Sequence, residues 1–530
     1  MMIKRTKMAA IGLALSLLLI GCGASQTQTT GLDGNEISQE EMTSMPENTP
    51  IVESTPMEEN TPAEKNDPTE DGASVEESDR AEENNLLGGD SMDEQTFHNG
   101  DEGKQVVIYF ANWNLGNSAA DASGEVGNIP WDKVTYVNHA FWAVAPADGS
   151  TETSFVRRDS GEGARTEFAI VSTDPYKDYQ NTGKSAINPE LEKNHFAQYA
   201  AYSELYPDVN IMISVGGWGA CGYFSEMAYT KEGRQSFIQS CLDLMDQYPW
   251  IDGIDIDWEY PGGTRGGERA PGNAYDQGCP IFGTAAEDST NFAALLSELR
   301  SAMDEHFGTG TKRLTACASG STGWTLPMQD WAAFAPYLDM INIMTYDLAG
   351  VWDGSTGHGS SLADAINAAE YFRALDIDMS KLCIGSPMYA TSFLLKNIPD
   401  GSPLGAAVSS NSPTSSVIDE TMLRSFEEQA VSGFHLMQEG TRWVMGEEFD
   451  EGGVGWHYAY DAQKGGVYLY NDDESSRYYK WFLSYENPLS LQAKLDYIHD
   501  AGLAGIIVWE CSQDTSDHDL ISQMGDNLIR

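Results

Sequence analysis

Short apolar runs recur along the chain from about residue 104, each bounded by polar or turn-forming residues. They are Val106–Phe110, Val134–Phe141, Asn210–Val215, Gly253–Trp258, Arg313–Ala318, Met340–Met344, Leu382–Ser386 and Gly505–Val508. Such runs predict strands buried on both faces, as in a parallel sheet covered by helices. Amphipathic or mixed segments lie between most of them, for example Asn291–His306, Ser361–Leu375 and Leu489–Ala501, and predict helices. Eight strands alternating with helices fit an α/β fold, a closed (β/α)8 TIM barrel. A doubly wound open sheet shares the alternation, but no phosphate-binding glycine fingerprint follows the first strand.

One interval breaks the rhythm. Residues 393–480, between the seventh and eighth strands, are far longer than an ordinary strand-to-helix connection. They hold strand-like pieces of their own, such as Gly466–Tyr470. The reading is a small α+β insertion domain, with the barrel made from residues 104–392 and 481–530.

The first residues point to a compartment. Lys4, Arg5 and Lys7 precede the nearly unbroken apolar run Met8–Ile20. That run is short for a membrane span and suits a secretory signal. It ends in Leu19-Ile20-Gly21-Cys22, which resembles the bacterial lipobox, whose cysteine is lipidated after cleavage. Residues 1–21 are therefore expected to be a lipoprotein signal peptide. Cys22 would be the lipidation site of an exported cell-surface protein on the outer face of a bacterial membrane. An ordinary signal with an incidental cysteine is the plainer alternative. Residues 22–103 are rich in Glu, Asp, Thr, Ser, Pro and Asn, with Phe97 their only aromatic. Such a segment buries too little apolar surface to order itself, so a disordered acidic linker is expected.

Composition narrows the partners. With 30 basic and 81 acidic side chains the formal net charge is −51, which leaves no basic surface for nucleic acid or anionic lipid. Thirteen Trp and 24 Tyr suit flat, partly polar ligands. Besides Cys22 there are Cys221, Cys241, Cys279, Cys317, Cys383 and Cys511. Cys317, Cys383 and Cys511 sit beside strand-like runs and read as buried thiols. Cys221 and Cys279 fall in loops after strands and could pair. No spacing resembles a metal site.

Chemistry concentrates in Asp252-Gly-Ile-Asp255-Ile-Asp257-Trp-Glu259-Tyr-Pro-Gly-Gly. On a strand, alternate side chains share a face, so Asp255, Asp257 and Glu259 point into the barrel. Ile254, Ile256 and Trp258 point outward, and Asp252, of the wrong parity, takes a structural role. Three crowded carboxyls push at least one pKa up, which is how a carboxylic acid remains a proton donor near neutral pH. Glu259 lies nearest the strand's C-terminal end, where barrel active sites form. A calcium loop would require polar intervening residues and a glycine at its sixth position, where Tyr260 stands.

This segment resembles the Asp-x-x-Asp-x-Asp-x-Glu signature of glycoside hydrolase family 18, the chitinases. Other matches follow in order: Ile213-Ser214-Val215-Gly216-Gly217-Trp218, Asn342-Ile343-Met344-Thr345-Tyr346-Asp347, Gly385-Ser386-Pro387-Met388-Tyr389 and Gly505-Ile506-Ile507-Val508-Trp509-Glu510. Ser484-Tyr485-Glu486-Asn487-Pro488 is similar to the exit from the inserted domain of one branch. The resemblance spans roughly residues 105 to 530.

It implies a retaining, substrate-assisted mechanism in which the substrate's N-acetyl oxygen forms an oxazolinium ion. Glu259 would be the general acid and base. Asp257 would hold the acetamido N–H, and Asp255 would share a proton with it. Tyr346 would hold the acetamido group, and Asp347 would contact the −1 sugar or the attacking water. Trp509 matches the tryptophan beneath that sugar. Trp113, Trp218, Tyr260, Met344, Trp352 and Tyr389 are further substrate-binding candidates, while Arg442 and Arg477 are guesses for an arginine of the inserted domain. The expected partner is chitin or chito-oligosaccharide, met by a monomer that touches membrane only through its lipid anchor. No metal or organic cofactor is implied. The alternatives are an endo-β-N-acetylglucosaminidase acting on N-glycans, or a non-catalytic chitin-binding lectin, which typically lacks the glutamate.

Overall fold

The structure is a computed structural model that describes residues 103–113, 124–146, 167–263, 278–412, 456–476, 478–515 and 517–529. The leader, Cys22, the acidic linker, Arg442 and Arg477 lie outside the described residues.

All eight apolar runs are strands, with ends within three residues of those expected. They are β1 (Gln105–Ala111), β2 (Tyr136–Val144), β4 (Asn210–Gly216), β5 (Gly253–Asp257), β6 (Arg313–Ser319), β7 (Met340–Met344), β8 (Leu382–Pro387) and β13 (Gly505–Trp509). Numbering in chain order leaves β3 (Ile170–Ser172), β9 (Thr391–Leu394), β10 (Trp456–Asp461), β11 (Gly466–Asn471) and β12 (Trp481–Tyr485). The barrel strands are parallel, and β1 pairs with both β2 and β13, which closes the ring. β3, which the pattern did not suggest, pairs antiparallel with the far end of β2.

Alternation sorts the side chains into two layers. Ile254, Ile256 and Trp258 join the large core between barrel and helices. A smaller core fills the barrel itself, with Val107, Tyr109, Met212, Cys317, Met344 and Tyr346 among its members. The inward carboxyls of β5 therefore stand in a largely apolar interior. Asp252 takes its structural place by accepting the Ile211 N–H at 2.8 Å.

Two helices beside the barrel strands start at side-chain caps. The helix Ala285–Phe307 opens with a reciprocal Thr284–Glu287 capping box, six residues before the expected start, because its first six residues carry no large apolar side chain. Pro488–Ala501 opens at Asn487 with Pro488 in the first turn, and stops at Gly502, whose φ of +70° suits glycine. No described helix is long and apolar enough to cross a membrane.

Between β8 and β13 the described residues form an antiparallel sheet in the order β10-β11-β12-β9. Residues 413–455 of the expected insertion lie outside the description. Phe393, Leu395, Tyr468 and Phe482 make the sheet's core, and Ala349 and Val351 from the loop after β7 pack on it.

Candidate active site

Asp255 is fully buried and held from four strands. Its Oδ2 accepts the Tyr109 hydroxyl of β1 at 3.0 Å and Ser214 Oγ of β4 at 2.7 Å. Its Oδ1 accepts Thr315 Oγ1 of β6 at 2.5 Å and Asn342 Nδ2 of β7 at 3.3 Å. Burial raises its pKa, and these donors pull it back without reversing the direction. Asp255 is thus committed to its neighbours, and no hydrogen bond joins it to Asp257 in this conformation.

Asp257 is the opposite case. It is buried, Oδ1 has no hydrogen-bond partner, and the Cys317 thiol is the side chain that bonds it. Burial first, then the charges of Glu259 and Asp255, hold its carboxyl well above the usual range. Glu259 follows the end of β5 and is 8% exposed. Its backbone N–H donates to Cys221 Sγ at 3.2 Å.

The glycines at the end of β4, Gly216 and Gly217, are dictated by these neighbours. A Cβ on Gly216 would stand 2.1 Å from the Asp257 carbonyl oxygen, and one on Gly217 would stand 2.3 Å from the Phe141 ring. The Gly217 N–H donates to that same carbonyl at 2.8 Å.

Tyr346, just past β7, is buried with its hydroxyl near the acids. Burial raises its pKa most, followed by Cys317, Tyr389, Asp257 and Glu259. The Tyr389 ring lies 6.5 Å away, edge-on. Tyr389 is buried, and its hydroxyl is pushed up by burial and by the adjacent Asp347 carboxylate. Asp347 itself is exposed and sits at φ +54°, a left-handed conformation that Asp tolerates. Thr345 anchors this turn. Its Oγ1 accepts the Gly385 N–H at 2.7 Å, and its carbonyl accepts Ser360 Oγ at 2.5 Å. Ser360 in turn accepts Lys494 Nζ at 2.7 Å, and Lys494 forms a buried ion pair with Glu486. Glu486 also accepts Ser386 Oγ at 3.0 Å.

Of the aromatic candidates, the structure brings Trp113 and Trp509 together. Phe141 stacks on Trp509 with centroids 5.4 Å apart and planes at 16°. Trp113 lies 6.0 Å from Phe141 and 6.1 Å from Trp509, and is 44% exposed. Trp218 (48%) and Trp352 (59%) stand out on the loops after β4 and β7. Tyr260 and Met344 are buried with the barrel's inner core. Sequence reasoning missed Phe141, Tyr109 and Cys317, and passed over Trp324, 55% exposed on the loop after β6.

A buried polar cluster braces Trp113 from behind. Asp178 Oδ1 lies 2.9 Å from His139 Nε2 and 3.3 Å from His195 Nδ1, and its Oδ2 accepts Ser172 Oγ at 2.5 Å. The two histidines hold the Asp178 pKa below normal despite burial. Asn112 bonds the same carboxylate, and Lys177 bonds the Trp113 carbonyl. His139, Asp178 and His195 are also the one group among the described residues with three metal-ligand atoms within 4.8 Å. Both ring nitrogens face the same Asp178 oxygen, so these donors are occupied with one another.

The family model for glycosyl hydrolases family 18 matches residues 105–514. Among curated proteins the chain is similar to chitinase A of Pseudoalteromonas piscicida, at 25% identity over 466 residues covering 80% of this chain and 52% of that protein. It is similar to chitinase A1 of Niallia circulans at 27% identity over 444 residues, covering 77% and 56%. The chain thus spans about half the length of these relatives. Among solved structures, a chitinase from Bacillus thuringiensis shares the fold with a TM-score of 0.61 at 23% identity, covering 81% of this chain and 70% of the other.

Proposed function

Since the chain belongs to the glycosyl hydrolases of family 18, we propose that it is a chitinase, hydrolysing β-1,4 links between N-acetylglucosamine units with retention of configuration. The observation that carries this reading is the contrast within one strand: Asp255 is saturated with donors, while Asp257 keeps a buried oxygen without a partner. That oxygen suits the N–H of a substrate acetamido group. Burial and the neighbouring carboxyls raise the Asp257 pKa, which favours the protonated form until positive charge grows beside it. Accepting the N–H turns the acetamido oxygen toward the anomeric carbon, where it displaces the leaving sugar and forms an oxazolinium ion.

Glu259, at the strand end, protonates the departing glycosidic oxygen and then takes a proton from the water that opens the intermediate. The Tyr346 hydroxyl holds the acetamido group, and Asp347, at the rim, meets the −1 sugar or that water. Trp509, backed by Phe141, offers an aromatic face to the sugar's C–H surface. The names of the relatives favour chitin over other amino-sugar glycans.

The test is a product profile on N-acetylglucosamine oligomers beside a high-mannose glycopeptide. A chitinase shortens the oligomers and spares the glycopeptide, an N-glycan hydrolase does the reverse, and a lectin yields no product. Glu259→Gln should abolish most turnover, and full activity in that variant would remove the assigned acid. Export and lipid anchoring at Cys22 belong to the same proposal. Mass spectrometry of the mature N-terminus should find Cys22 first and acylated, and a chain that keeps residues 1–21 would contradict this.

A further inference from the structure

We infer that Cys221 and Cys279 are joined in the mature protein by a disulfide that braces the segment Trp258–Tyr260 from behind. This goes beyond the proposed reaction and does not depend on which glycan is cleaved.

All six described cysteines are free thiols in the structure, and all are buried. Two of them converge on the same three residues. Cys221, in the turn after β4, accepts the Glu259 N–H at 3.2 Å, and its sulfur lies 3.1 Å from the Gly217 carbonyl and 3.3 Å from that of Asp257. Cys279, on the loop ahead of the helix Ala285–Phe307, accepts Trp258 Nε1 at 3.2 Å, with its sulfur 3.6 Å from the Tyr260 carbonyl. Cys279 also lies near enough to Cys221 to push its thiol up, after burial. Two sulfurs hydrogen-bonded to adjacent residues, Trp258 and Glu259, need little movement to join. Cys317 and Cys383 face other partners, a tyrosine hydroxyl and a methionine sulfur.

The reaction balances with a low-molecular-weight disulfide as oxidant. One thiolate attacks the small disulfide and releases a small thiol. The second thiolate attacks the mixed disulfide and releases another. One sulfur–sulfur bond forms as one breaks, and the two protons pass to the released thiolates. Burial pushes the Cys221 thiol up and disfavours its thiolate, so exchange belongs to the open chain during folding rather than to the closed barrel.

The full chain is unfolded in reductant, refolded in a mixture of a small thiol and its disulfide, alkylated, digested and mapped by mass spectrometry. The peptides bearing Cys221 and Cys279 should be recovered joined, with Cys241, Cys317, Cys383 and Cys511 as thiols. The joined protein should unfold several degrees above the same protein held reduced. Cys279→Ser should free Cys221 for alkylation and erase that difference. If the variant fails to fold, wild type before and after reductant decides. Recovery of both peptides as separate thiols overturns the inference, as does a link from either to another cysteine. An unchanged unfolding temperature overturns the bracing role.

Discussion

The hydroxyl of Tyr109, on β1, donates to Oδ2 of Asp255, on β5, at 3.0 Å across the barrel interior. Those strands are not paired with each other, so the bond ties walls that no backbone ladder joins. Tyr109→Phe deletes it and leaves one lone pair of a buried carboxylate without its donor. Stability to urea should fall by about 1–3 kcal/mol. Turnover should drop about tenfold as the Asp255 charge that acts on Asp257 shifts. A variant with wild-type stability would show that the bond contributes nothing.

Asp257 should leave a signature in the pH dependence of stability. Its native pKa is raised by burial, Glu259 and Asp255, so the folded chain holds a proton that the unfolded chain has already released. From about pH 4, the unfolded value, up to the raised native value, the folded form binds more protons and stability falls as pH rises. Asp257→Asn removes that penalty. Its melting temperature should match wild type near pH 3.5 and exceed it increasingly as pH rises through the window. An offset that is equal at every pH would contradict the assignment.

Gly216 and Gly354 make a controlled pair. Both have positive φ, +121° and +70°, but a Cβ on Gly216 meets the Asp257 carbonyl while one on Gly354 meets nothing within 4 Å. Gly354→Ala should cost about 1 kcal/mol from backbone conformation alone. Gly216→Ala should cost about 3 kcal/mol or more, since the active-site strand must move. Equal costs in equilibrium unfolding would mean that the contact with Asp257 is soft.

The buried Glu486–Lys494 pair supports the turn that carries Tyr346, through Ser360 and the Thr345 carbonyl. Lys494→Met strands Glu486 in the interior and should destabilise by about 3–5 kcal/mol. Pairing it with Glu486→Leu should restore much of that loss, because two apolar groups leave no unpaired charge. A double variant no better than the single one would show that the remaining hydrogen bonds, rather than the charges, hold the turn.

Much of this was legible before any coordinates. Each barrel strand is a short, largely apolar run bounded by turn residues, and the parity of Asp255, Asp257 and Glu259 needs only a two-residue period. Phe141 could not be placed that way, because the register of β2 against β4 shifts between His139 and Trp142, and alternation loses its meaning across the irregularity. The Asp178 cluster joins residues 39 and 17 positions apart to one carboxylate, contacts that no local pattern carries. Cys317 read as a plain buried thiol, since only the folded barrel sets it between Tyr109 and Asp257. The sheet β10-β11-β12-β9 was announced only by its length and one strand-like run, because β9 and β12, which pair with each other, lie at opposite ends of the interval.

In the proposed reaction the substrate, rather than a protein carboxylate, attacks the anomeric carbon. Successive fluorination of the N-acetyl group on a chito-oligosaccharide glycoside tests it most directly, because each fluorine weakens the amide oxygen as a nucleophile without changing the leaving group. With the acetamido oxygen as nucleophile, kcat/KM falls steeply along the mono-, di- and trifluoroacetyl series. Rates that stay level across it, or a sugar trapped as an ester on Asp257 or Asp255, would contradict it.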